Sequence, residues 1–142
     1  METTKHFYDA YNEARTRLAL VLKTLTPEHT TRKLAGVPNS VGFLLRHIGD
    51  VELLFSKNVF KNSEITVKAQ TVIDQKDSGE WVDLQELLEY LEHAAQVIST
   101  TIAQQDDDSW DEMIEHDGCT SGTTELSHEY RTFKYPLLAA RY

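Results

Sequence analysis

The stretch Asn39 to Phe60, NSVGFLLRHIGDVELLFSKNVF, decides the fold by its periodicity. At about 100° per residue, Val41, Leu44, Ile48, Val51, Phe55 and Val59 fall on one stripe. Ser40 stands where a hydroxyl can accept from an otherwise unpaired amide of a first turn. The stretch is therefore predicted to be one amphipathic helix capped by Ser40. His47 lies about 85° from the centre of the stripe, beside Leu44, Val51 and Leu54. A histidine there has three uses: a satisfied core residue, the lip of a pocket, or a metal ligand held by neighbouring helices. The first is the commonest, since lone histidines on apolar faces are seldom ligands.

Helical spacing recurs on both sides of this stretch. Before it, Phe7, Tyr11, Ala14, Leu18, Val21 and Leu25 predict a first helix from about Thr4 to Leu25. Pro27 closes that helix, because residues before proline avoid the α region. A connector, Thr26 to Pro38, follows, with Leu34 and Val37 expected to tuck against the bundle end and His6 and His29 expected at the surface. After it, Lys61 to Trp81 is irregular. Ile65 to Ala69 alternates like a short strand or an extended crossing, and Asp77-Ser78-Gly79 is turn chemistry. A third long helix opens at Asp83-Leu84-Gln85-Glu86, a capping box, with Leu84, Leu88, Leu91, Ala95, Ile98 and Ile102 inward and His93 outward. Asp106-Asp107-Asp108 reads as its terminator, since carboxylates repel the negative end of a helix dipole. Ser109-Trp110-Asp111-Glu112 opens a short turn, and the loop around His116 and Cys119 offers only two adjacent zinc-type ligands. A fourth helix from about Thr123 or Thr124 carries Leu126, Tyr130, Phe133, Leu137 and Ala140, with a kink or break expected near Thr132 to Tyr135 because of Pro136.

Composition narrows the function. The 142 residues suit a single domain, residues 1–142, able to bury a core without staples. Cys119 is the only cysteine, which excludes an intramolecular disulfide and suits a cytoplasmic, reducing compartment. METTKHFYDAYNEA lacks the pattern of a signal peptide, and the longest apolar run, Leu18 to Leu22, is too short to span a bilayer, so no membrane partner is expected. A net charge of −9, from 23 acidic and 14 basic residues, repels phosphate backbones, so no nucleic acid is expected as a partner.

The run from Pro38, PNSVGFLLRHIGDVE, resembles the second helix of the DinB-like (DNA-damage-inducible) family. Ser40, His47 and Glu52 match the serine, the histidine and the glutamate five residues later that mark this helix. The match covers about twenty residues, and the order of helices agrees along the rest of the chain. The resemblance implies an all-α, up-down four-helix bundle, here with irregular connectors after the second helix and before the fourth. It also implies a homodimer and a metal site built from one histidine of the second helix and an H-x-x-x-H pair of the fourth. Some members are metal-dependent thiol transferases or isomerases, and many have no assigned activity.

The fourth helix departs from that pattern. Alignment on its histidine gives His128 and Thr132, with His128 about 160° from the inward stripe. Alignment on the core gives Glu129 and Phe133. The candidate ligands of a divalent ion (nickel, zinc or iron) are thus His47, Glu129 and His128, with water and Glu52 to complete the shell. Three readings stay open. One is a metal-dependent thiol transferase or hydrolase. Another is a metal-free pocket in which a His47–Glu129 pair binds a small molecule or acts as a base. The last is a dimeric interaction module.

Overall fold

The computed structural model describes residues 2–111, and these fold as helices, turns and coil with an isolated antiparallel bridge between Lys33 and Ser40. Their α-helices are α1 (Glu2–Leu22), α2 (Val41–Leu54), α3 (Gln70–Asp74) and α4 (Leu84–Ala103). Short 3-10 turns stand at Pro27–His29 and Asp107–Asp111, and a π turn at Phe55–Val59 continues α2. The described residues form an all-α helical bundle, as their periodicity predicts. The fourth helix expected from Thr123 onward, with its Pro136 kink, lies outside the described residues, as do His116 and Cys119. No described helix is long and apolar enough to cross a membrane.

The N-cap residues act as read. Ser40 Oγ accepts from the Phe43 amide at 3.2 Å, and Asp83 Oδ1 accepts from the Glu86 amide at 3.0 Å. Asp77 adds a link the local pattern does not contain: its carboxylate accepts from the Ser40 amide at 2.7 Å and the Gly79 amide at 2.8 Å. The turn at Asp77 is thereby tied to the start of α2. Asp107 does more than end α4. Its carboxylate accepts from the amides of Thr3 and Thr4 at 3.3 and 3.0 Å. These are among the amides that a helix N-terminus leaves without an internal partner, and negative charge is favoured there.

Several packing expectations are corrected. Most of the buried face of α2 runs along the row Gly42, Leu45, Gly49 and Leu53, with Phe43 and Asp50 buried beside it. This row is centred about 120° round the helix from the stripe of Val41, Leu44 and Ile48. The reason is close approach. A Cβ on Gly42 would sit 1.7 Å from the Trp81 carbonyl oxygen, and one on Gly49 would sit 2.6 Å from the Tyr90 ring. Glycine lets these neighbours against the helix axis, so the row of Gly42 and Gly49, with Leu45 and Leu53, is the inner one. Leu44 is left exposed, while Val41 and Ile48 pack on the edge of the core formed by Leu45, Leu87 and Leu91. Val21 and Leu34 are also exposed, at 58% and 73%, since the end of α1 and the Thr31–Pro38 connector lie at the surface. Ile65 to Ala69 takes no regular secondary structure and leads into α3, which the alternation did not predict.

At the other end, Trp110 is buried against Phe7 (ring centroids 4.4 Å apart) and edge-on to Phe60 (5.7 Å). Its indole N–H donates to Thr4 Oγ1 at 2.8 Å, giving its buried polar atom a partner. His93 is exposed on α4, as predicted.

Candidate functional site

Polar residues of α2 reach two separate networks. The first centres on Asp50, which is fully buried. Its Oδ1 accepts from Arg46 Nε at 3.0 Å and from the Tyr90 hydroxyl at 2.6 Å. Its Oδ2 accepts from the Thr71 amide at 3.1 Å and the Thr71 hydroxyl at 2.7 Å. Four donors meet the roughly four lone-pair positions of a carboxylate, so the buried charge is satisfied. Arg46 in turn lies over the rings of Tyr90 and Trp81, 3.7 and 4.8 Å from their centroids. Burial, helped by the Asp50 hydrogen bond and charge, pushes the Tyr90 phenol above its usual range and keeps it a donor.

His47 is the next residue along this edge, one helical turn before Asp50 and half-buried. Its Nδ1 lies 3.0 Å from Thr71 Oγ1. The ring lies nearly parallel to Phe43, with centroids 5.8 Å apart and planes 9° apart. Thr71 on α3 therefore touches both the histidine and the buried carboxylate. No hydrogen bond to Nε2 is present among the described residues.

The second network points elsewhere. Glu52 stands about 140° round the helix from His47. Its Oε1 accepts from the Tyr11 hydroxyl at 2.8 Å and lies 3.5 Å from Arg15 Nη1. Arg15 Nη2 donates to the Leu91 carbonyl at 2.8 Å, so this cluster joins α1, α2 and α4. Burial pushes the Glu52 carboxyl up, against the lowering pull of Arg15 and Tyr11. Burial and the Glu52 charge together push the Tyr11 phenol up as well.

A raised carboxyl gives a definite sign. Between the unfolded and folded values the native state binds more protons, so stability falls as pH rises through that window. The stability of the wild type minus that of Glu52→Gln is expected to decline from about pH 4.5 and then flatten above the raised value. Urea titrations of both proteins across pH would show it, and a difference that rises with pH contradicts the assignment.

Of the predicted ligand positions, the structure places His47, with Glu52 turned away from it. Glu129 and His128 lie outside the described residues. A divalent ion needs about three protein ligands, and no group of three or more histidine, cysteine or acidic side chains suited to one forms among the described residues. The described residues alone therefore do not fit a metal, and Asp50 already has all its lone pairs engaged.

With the helices and this edge in view, the chain matches the model of the DinB superfamily over residues 10–131. The chain belongs to the DinB superfamily. No curated protein and no solved structure matches it. For this DinB superfamily protein the match supports the helical architecture and the kinship first seen in Ser40, His47 and Glu52.

Sequence reasoning missed Asp50 and Thr71. Asp50 carried a signal in the Arg46/Asp50 spacing of four residues, a standard intrahelical ion pair. Thr71 carried none, because its role depends on where the coil before it crosses α2.

Proposed function

We propose that this DinB superfamily protein binds a small molecule beside α2, with His47 as the group that meets it. The observation that carries the reading is the imidazole held through Nδ1 by Thr71, with Nε2 left to a ligand. Such a nitrogen can take a proton from a thiol, a hydroxyl or a water held against it. The ring plane is fixed by Phe43, which lowers the ordering needed on binding.

A second reading, a divalent-metal-dependent thiol transferase or hydrolase, is favoured by the same hydrogen bond. Ligating histidines usually direct their other ring nitrogen to an orienting partner. Here Glu129 and His128 would join His47 as ligands.

A thermal-shift screen of thiols, alcohols and amines tests the first reading. A ligand at about 100 times its Kd stabilises by about 2.7 kcal/mol, and His47→Gln is expected to abolish that shift. Equal shifts in both proteins would remove His47 from the site. For the second reading, elemental analysis of protein purified without an affinity tag should show stoichiometric nickel, zinc or iron that His47→Gln loses. Protein that neither carries these metals nor takes them up on titration rules it out.

A further inference from the structure

We propose that Thr71 and Asp50 are positioning residues that hold the His47 ring in its Nδ1–H form and thereby select the chemical class of ligand at Nε2. The inference rests on the reading of His47 as the group that meets the ligand.

The count of available protons decides the ring's form. The Thr71 hydroxyl has one proton, and an ionised carboxylate can only accept. The 2.7 Å separation of Thr71 Oγ1 and Asp50 Oδ2 is that of an O–H···O bond. The Thr71 amide donates to the same oxygen at 3.1 Å, so the hydroxyl cannot drift away from it. With its proton committed to Asp50, Thr71 Oγ1 faces Nδ1 at 3.0 Å as an acceptor, and the ring must supply the hydrogen. A neutral imidazole carries one N–H, so Nε2 keeps a lone pair.

The reverse arrangement would turn the hydroxyl proton toward Nδ1 and take one donor from a fully buried carboxylate. Bonds to a charged acceptor are roughly twice as strong as neutral ones, so the arrangement pointing to Asp50 prevails. Arg46 and Tyr90 hold the other carboxylate oxygen and keep Asp50 from rotating to meet the ring itself. The neutral ring thus offers only an acceptor. It takes a group that brings a proton, such as a thiol, a hydroxyl or an N–H, or a cation. It refuses a group that can only accept.

The test is a long-range proton–nitrogen spectrum of the nitrogen-labelled full chain, recorded at alkaline pH. The His47 signals are assigned by their loss in His47→Gln. In the wild type, Nδ1 is expected to resonate as a protonated, pyrrole-type nitrogen and Nε2 as a bare, pyridine-type one. Thr71→Ser should keep this pattern, and Thr71→Val should shift the ring toward the Nε2–H form. A pyridine-type Nδ1 in the wild type overturns the proposal, even where Thr71→Val fails to fold. An unchanged pattern in folded Thr71→Val overturns it equally. Because the measurement needs no ligand, a wild-type Nδ1–H ring combined with ligand shifts indifferent to His47 supports the positioning role and overturns the proposed function instead.

Discussion

Asp50→Ala is expected to lower the stability of the fold by about 3–5 kcal/mol, the usual cost of removing one partner from a buried charge pair. The change removes the common acceptor of Arg46, the Tyr90 hydroxyl and both Thr71 donors, of which Thr71 is buried and Arg46 and Tyr90 partly so. Arg46 would keep its position over the Tyr90 ring, but a stacked cation without its anion is poorly compensated. Against a total of about 5–15 kcal/mol for a domain, the midpoint of urea unfolding should fall by a large fraction. Asp50→Asn keeps acceptor capacity and should lose less. Because Asp50 is what holds α3 on α2, amide exchange should rise around Gln70–Asp74 before it rises in α4. A loss under about 1 kcal/mol would mean that the network does not carry the contact.

Gly42→Ala should destabilise by about 3 kcal/mol or more, the upper end for overpacking. The added Cβ would meet the Trp81 carbonyl oxygen at 1.7 Å, the Trp81 carbonyl carbon at 2.9 Å and the Thr30 oxygen at 3.1 Å. All three are backbone atoms, so no side-chain rotation relieves the clash. The displaced segment also carries the Val82 carbonyl that accepts from the Thr30 hydroxyl, and the Trp81 ring that lies over Arg46. Helix propensity alone favours alanine by about 1 kcal/mol and predicts the opposite sign. A variant more stable than the wild type would therefore refute the packing argument. At Gly49 the nearest obstacle is the Tyr90 ring, a side chain that can shift, so Gly49→Ala should cost less.

Much of the fold was legible in the residues. The starts of α2 and α4 follow from Ser40 and Asp83, because each cap bonds an amide three residues away. His93 could be placed outside by rotation alone. The inward face of α2 is not legible from its apolar stripe, because counting apolar side chains cannot register the close approach that Gly42 and Gly49 allow beside Leu45 and Leu53. The local sequence makes the Asp107 carboxylate a stop signal for its own helix, whereas its partners lie on α1, more than 100 residues earlier in the chain. The sequence pattern groups Glu52 with His47 as a further ligand, yet Tyr11 and Arg15 draw it to the other network.

By itself the sequence determined the helical class, the positions of the long helices up to Trp110, the kinship carried by Ser40, His47 and Glu52, and His47 as the residue to watch. These depend on periodicity and capping, which act within a turn or two of the chain. Only the tertiary structure decided which face of α2 is inner and which hydroxyl meets the His47 ring. Those outcomes depend on Trp81, Tyr90 and Thr71, residues 21 to 44 positions away from the α2 partners they touch, brought there by the packing of whole elements.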